Sequence, residues 1–492
     1  MAKDIVIGLD IGTTSVKAVA FNKHGMVHYE AEVEYPLLTP QPGWAEQDPI
    51  VIEQSTLQVI KNLVLGGSIK PSDILSFGIS SAMHSLICID KNGNPLSNSI
   101  TWADGRSTKQ AREIKDNYGH LIYQQTGTPI HPMSPLTKLV WMKENNYNPY
   151  KQASKFISIK EFILYRWFGA ELVDYSIASA SGLFDLHTLD WNSTALTIAG
   201  ITKEQLFKPV KPTEVITGLK SHIAKEIGIR NDIPFVIGAS DGPLANIGIG
   251  AISPGEVAIT IGTSGAIRQI VPTPKTDKLQ QTFCYAITDS LSLIGGPTNN
   301  GGIVLRWLRD TIGHEGSYEE LIALAKDVLP GSENLLFLPY LNGERAPLWN
   351  SDIRGSFIGL SLRHKKEHMI RAGLEGVIFS IYHVGQALER LAGSPQKILA
   401  SGGFARSSLW LQILADVFNQ EVQVPVSHQS SAWGAAWLSL YGIGEVNSLE
   451  QIKQHIPMQG SYLPDKKGNE KYQEMFKMYK DFSITLNNFK SK

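Results

Sequence analysis

Cysteine is almost absent from this 492-residue chain: Cys88 and Cys284 are the only two, each inside an apolar, strand-like stretch. Two distant thiols make neither a disulfide framework nor a clustered metal site, so buried thiols in a reducing compartment are expected. Charge imbalance is lacking too. With 45 basic against 46 acidic side chains and a net charge of −1, the chain offers no footprint for nucleic acid or an anionic membrane. Long apolar runs are also missing. The stretch from Ile5 stops at Asp10, too short and too polar for a signal peptide, and no other run reaches spanning length. These absences predict a cytoplasmic protein without a nucleic-acid or membrane partner.

What is present suits an ordinary globular protein. Hydrophobic residues make up 42% and charged residues 18%, and the length exceeds the roughly 250–300 residues at which a single core stops growing. Two domains are expected. The run from Ile5 to Gly12 reads as a central strand, Gly12-Thr13-Thr14 as a tight turn, and Val16 to Phe21 as the returning strand. Asp48 before Pro49 marks a helix start. About half a chain length later, Val257–Ile261 followed by Gly262-Thr263-Ser264 restates the opening strand and turn. Such an echo suggests a duplicated unit with a cleft between the copies, residues 1–245 and 246–492. Near the end, Lys397–Ser401 reads as a strand, Gly402-Gly403 as a turn, and Ser408–Phe418 as a helix capped by Ser407.

These turns carry chemistry. A nucleoside triphosphate needs backbone N–H groups aimed at its phosphates, which glycine-rich turns allow, and a carboxylate to hold magnesium. Asp10, Gly12, Thr13 and Thr14 supply both within five residues, and Lys17 on the second strand adds positive charge. Gly262 and Thr263 offer a second set. No Walker-type loop or protein-kinase catalytic loop is present.

The segment Gly8–Thr14 resembles the first phosphate motif of the FGGY carbohydrate kinases, members of the actin/hexokinase-type ATPase superfamily. Gly262-Thr263 resembles the second phosphate motif, and Ser401-Gly402-Gly403 the adenosine motif. Met133–Asn145 is similar to one family signature. Gly355–Leu360 with His368–Glu375 is similar to the other, except that Gly373 stands where another small or β-branched residue is usual. The resemblance implies an α/β fold of two ribonuclease-H-like domains, each with a mixed five-stranded sheet, around a catalytic cleft. It implies ATP and Mg2+ as requirements, Asp241 of Gly238–Gly242 as general base, and Asp10 as the metal-side carboxylate. Gly302, Gly403 and Ser407 would line the nucleotide, with Gly402 beside them; Arg306 falls where relatives often carry glutamine. The resemblance also implies a homodimer.

For the acceptor, Met83-His84 occupies the slot of a Met-His pair in xylulose kinases, and Trp102, Asp104 and Arg106 that of an aromatic platform and polar clamp. The stretches Ser81–Ser85, Ile100–Arg106, Gly127–Met133, Gly296–Gly302 and Asn342–Trp349 look most like gluconate kinases of the family. The implied reaction converts D-gluconate to 6-phospho-D-gluconate; a xylulose or other polyol kinase is the alternative. A carboxylate substrate asks for a basic partner, and His84, Arg106, His131 and Arg268 are candidates.

Other readings of the same residues remain in view. Gly238–Gly242 also fits the Gly-x-Ser-x-Gly elbow of serine hydrolases, with Ser240 as nucleophile. His364–His368 fits a zinc-protease pattern, although a solvated helix amid lysines explains it. Asn192-Ser193-Thr194 is a glycosylation sequon that a cytoplasmic protein would not use. A non-catalytic nucleotide or sugar sensor on the same scaffold is the non-enzymatic alternative. These readings separate experimentally. Polyol-dependent ADP release is expected; a sensor would give none above background, and a hydrolase would label at Ser240 with a fluorophosphonate.

Overall fold

The computed structural model describes residues 4–426 and 429–488. The first half opens on an antiparallel meander of β1 (Ile5–Ile11), β2 (Ser15–Asn22) and β3 (Val27–Glu34). The apolar residues of β1 are buried, as expected of a central strand. Asp48 caps α1 (Pro49–Gly66) by accepting from the Ile50 N–H at 2.8 Å, with Pro49 at the first helical position. β4 (Ile74–Ser81) then pairs parallel to β1, and β6 (Phe235–Ser240) parallel to β4, with the short β5 (Val215–Ile216) closing the edge. The sheet order is β5-β6-β4-β1-β2-β3.

The second half repeats this plan. β7 (Glu256–Ile261), β8 (Gly265–Val271) and β10 (Ser292–Thr298) form an antiparallel meander, with β9 (Phe283–Ala286) on its outer edge. β11 (Lys397–Ser401) is parallel to β7 and β12 (Val422–Pro425) parallel to β11. β13 (Met458–Tyr462) completes the order β9-β10-β8-β7-β11-β12-β13. Each sheet thus contains the five expected strands in the same connectivity. Edge strands raise the totals to six and seven, because an unpaired edge is a liability that a short extra strand covers.

The long crossover between β4 and β6 holds a helical insertion with its own apolar core, including Ile122, Leu136, Leu139 and Met142. It carries many of the expected substrate residues, and its elements were not legible in the sequence. A second difference concerns the join between halves. After α2 (Asp241–Gly248), α3 (Gly302–Thr311), α4 (Lys366–Ala392) and α5 (Ser408–Phe418), helix α6 (Ser430–Gly442) leaves the second half and packs on β1 and β4 of the first. Its backbone meets theirs: a Cβ at Gly8 would stand 2.0 Å from the Ala432 carbonyl oxygen, and one at Gly78 1.9 Å from that of Ala435. Only residues without a side chain allow this approach.

At Gly373, the departure from the family pattern, a Cβ would lie 2.3 Å from Leu308 Cδ1, so a larger residue there needs the Leu308 side chain to shift. Cys88 and Cys284 are buried and free, and burial pushes each thiol up to about 12. Among the described residues no helix is long and apolar enough to cross a membrane. Gly78→Ala should destabilise the protein by about 3 kcal/mol through overpacking, read as a lower urea midpoint with an unchanged slope.

Candidate active site

The parallel pairings gather polar residues at one edge of each sheet. In the first, Asp10 sits near the carboxyl end of β1, Met83 and His84 follow β4, and Asp241 follows β6 as the first residue of α2. The register places Asp10 opposite Ser80, and Ser80 opposite Ala239. Open α/β sheets bind ligands outside the carboxyl ends of their strands for this reason. Asp10 and Asp241 are both half-buried. Burial pushes the Asp10 carboxyl up to about 6; the Ser80 hydroxyl, donating at 2.7 Å, opposes this, the Asp241 charge adds to it, and Lys17 opposes it. Burial also raises Asp241, against the nearby Arg268 guanidinium, the Gly242 N–H at 2.8 Å, and Arg345. The charge of Asp241 thus reaches Asp10.

The first turn is held by a residue the sequence reading missed. Tyr35 donates its hydroxyl to the Gly12 carbonyl at 2.6 Å and lies 3.1 Å from that of Ser15, while its backbone N–H donates to Thr14. Thr13 is half-buried and Thr14 exposed. Thr13 accepts the indole N–H of Trp102 on its hydroxyl at 3.0 Å and the Gln47 side-chain amide on its carbonyl. Lys17 pairs across the hairpin with Asp10 and reaches Glu32 at 3.5 Å.

The second turn is one residue tighter: the Gly262 N–H donates to the Ser264 carbonyl at 2.9 Å, two residues on, where the Gly12 N–H reaches the Ser15 carbonyl three residues on. It borders a hollow of about 810 Å³ lined by Gly262, Thr263, Gly302, Arg306, Gly403 and Ser407 together with apolar surface from Tyr318, Ile322 and Tyr462. No atom lies within 4 Å of where a Cβ at Gly262 or Gly403 would stand, so bare backbone faces the open space. Gly402 has φ +95°, and a Cβ on it would meet the Ile261 carbonyl oxygen at 2.5 Å, so glycine is required. Thr260 and Ser401 share a hydrogen bond at 2.9 Å that ties β7 to β11 beneath the hollow. Ser407 caps α5 by accepting from the Trp410 N–H.

Among the acceptor candidates, His84 is buried and its Nδ1 lies 2.7 Å from the Ala180 carbonyl, which makes Nδ1 the protonated nitrogen. Burial holds His84 down to about 3, and burial with nearby cations holds His131 down to about 3, so both rings are neutral. His131 accepts the Met133 N–H on Nδ1 at 3.2 Å and meets Trp349 edge-on. Lys138, inside a family-signature stretch but not singled out, is fully buried and donates to the carbonyls of His84, Thr101 and Met133 at 2.7–2.8 Å. It ties three loops together. Arg345, from the Asn342–Trp349 stretch, sits with its guanidinium 5.1 Å above the Trp102 ring, so second-half and first-half residues meet there.

Arg106 is not brought to this group. Its side chain is closed to solvent, ion-paired to Glu46 at 2.5 Å and Asp104 at 2.7 Å, and stacked 3.6 Å from the Trp44 ring. Two carboxylates make its burial tolerable and hold it away from any substrate carboxylate. Asp104 is committed likewise, accepting from the Ala45 N–H at 2.7 Å. Ser240 is fully buried and its hydroxyl has no hydrogen-bond partner among the described residues, so it is no exposed nucleophile. His364 precedes the helix that holds His368, and each uses Nδ1 to accept a backbone N–H, so they do not share a helix face. Among the described residues no cluster of three metal-ligating side chains exists. Asn192 caps a helix, accepting from the Ala195 N–H at 2.9 Å.

A carbon-detected titration of Asp10 should give a midpoint near 6. Asp241→Asn should lower it, because removing a like charge favours ionisation.

Comparison with known proteins agrees with this geometry. The chain is 46% identical to a gluconokinase of Bacillus subtilis (strain 168), across 98% of this chain and 96% of that one. Crystal structures of a gluconate kinase and a ligand-bound xylulose kinase, both from Lactobacillus acidophilus, each superpose with a TM-score of 0.95 at 38% identity, covering 98% of both chains. Residues 5–248 match the N-terminal domain and residues 257–443 the C-terminal domain of one family, and the chain belongs to the FGGY family of carbohydrate kinases.

Proposed function

We propose that this carbohydrate kinase transfers the terminal phosphoryl group of ATP to the 6-hydroxyl of D-gluconate, giving 6-phospho-D-gluconate and ADP. The observation that carries the reading is the pair of half-buried carboxylates, Asp10 and Asp241, within electrostatic reach of each other at the edge where the two halves meet. Likeness to gluconokinases over nearly the whole chain supports the choice of acceptor.

In this reading Asp241 accepts the hydroxyl proton as the substrate oxygen bonds to the γ-phosphorus and the β–γ bridging bond breaks. Its raised pKa makes it a stronger base than an exposed carboxylate. The turns at Gly12–Thr14 and Gly262-Thr263 present N–H and hydroxyl donors to the phosphates, with Lys17 nearby. Gly302, Arg306, Gly402, Gly403 and Ser407 hold the nucleoside. Asp10 is suited to a magnesium ion, because one carboxylate with no protein cage matches an ion held chiefly by phosphate and water. When bound, that ion would neutralise charge developing on the transferred group. Met83, His84, Trp102 and His131 face the acceptor, and water exclusion between closing halves would suppress ATP hydrolysis.

Residues 1–245 and 246–492 serve as the two halves, with α6 crossing between them. A cytoplasmic homodimer without nucleic-acid partners is the assembly that family resemblance and the near-zero net charge favour. The second reading, a xylulose kinase, draws on the equal structural likeness to that enzyme.

Coupled ADP production across sugars and sugar acids should show gluconate as the preferred acceptor; faster turnover of D-xylulose would replace it. Asp241→Asn should lower kcat by about 10³-fold with little change in ATP affinity by calorimetry.

A further inference from the structure

Several charged groups in the interior are paired with an opposite charge. Lys160 meets Asp174 at 2.7 Å, Arg371 meets Glu375 at 2.8 Å, and Arg106 sits between Asp104 and Glu46. Lys138 is satisfied by three carbonyls and feels the Asp104 charge. Arg268 differs. Its side chain leaves β8 toward the acceptor region, and its Nε lies 3.4 Å from where a Cβ on Gly242 would stand, a point that is also 3.3 Å from Met83 Cε. Yet among the described residues its guanidinium makes no hydrogen bond and no ion pair, and its Nη1 is wholly buried without an acceptor.

Arg345 stands over the same region with a similar deficit. It donates Nη2 to the Thr298 carbonyl at 3.2 Å, but its Nε is buried and unpaired. The neighbouring Glu344 favours its charge but, among the described residues, accepts no hydrogen bond from its guanidinium, taking instead the Thr298 hydroxyl, the Asn299 N–H, the Asn300 amide and the Arg345 backbone N–H. Asp241 is the carboxylate whose charge acts on both arginines. With His84 and His131 neutral, Arg345 has the charges of Glu344 and Asp241 beside it, while Arg268 has that of Asp241 alone. A buried cation without a partner is costly, so it signals a ligand that brings the missing negative charge.

We propose that Arg268, backed by Arg345, receives the carboxylate of the acceptor and is the residue that makes this kinase select a sugar acid over the corresponding neutral polyol. The proposal rests on the gluconate reading above. A planar carboxylate accepts two parallel N–H bonds from a guanidinium, which restores the acceptors Arg268 lacks and fixes the substrate's orientation. A neutral polyol ends in CH2OH, which leaves the charge unmatched, and sites built around buried polar groups reject ligands that leave them unpaired.

D-Glucitol tests this, because it carries CH2OH where D-gluconate carries the carboxylate. The unmodified enzyme should favour gluconate over glucitol by about 10³-fold in kcat/KM. Arg268→Met should lower kcat/KM for gluconate by about 10²- to 10³-fold, mainly through KM, and change that for glucitol less than about tenfold. Arg268→Lys should recover part of the gluconate loss. A parallel fall with both acceptors and in acceptor-free ATP hydrolysis would assign Arg268 to the phosphoryl group and overturn the proposal, as would an unchanged KM for gluconate. If Arg268→Met melts below the assay temperature, Arg268→Gln gives the same comparison. Failure of the gluconate reading is seen separately, as unmodified enzyme that prefers a neutral sugar.

Discussion

Parallel pairing of three strands in each half is the constraint on which the rest depends. β1, β4 and β6 run side by side, so residues far apart in the chain, Asp10, Met83 and Asp241, emerge at one edge. β7 and β11 do the same for Gly262 and Gly402. Parallel strands need long crossovers, and the crossover from β4 to β6 is where the helical insertion that carries Trp102 and His131 is built. One rule of sheet topology thus gathers the polar residues of both halves and the wall that carries Trp102 and His131.

Joining the halves sets a second demand. Helix α6 lies against β1 and β4 so closely that Gly8 and Gly78 replace side chains with backbone contact. The apolar cluster around it mixes residues of both halves, Val6, Leu244, Ile270, Trp433 and Trp437 among them. A dry, continuous core behind the site leaves the polar edges as the part that can open and close around substrates. It also removes water from the carboxylates, which is why both sit above the ordinary carboxylate range.

Polar satisfaction separates support from recognition. Tyr35 and Lys138 spend their donors on backbone carbonyls and so shape the first turn and the acceptor loops. Arg106 looks like a clamp in the sequence but is consumed by Glu46, Asp104 and Trp44. Among the described residues, Arg268 and Arg345 retain N–H groups without a hydrogen-bond partner. A list of basic residues near a motif cannot make this distinction.

Residue order alone determined a good deal here. The Gly-Thr turns, the caps at Asp48 and Ser407, the strand Lys397–Ser401 and the repeated β-meander are local patterns, written in residues a few positions apart, and short-range sterics and hydrogen bonding suffice to read them. Tertiary structure decided the rest. It set which arginine is spent on carboxylates, placed Tyr35 under the first turn, sent α6 across to the other half, and packed Leu308 against Gly373. Those outcomes depend on which partners arrive from distant segments, and burial makes the presence or loss of one partner decisive.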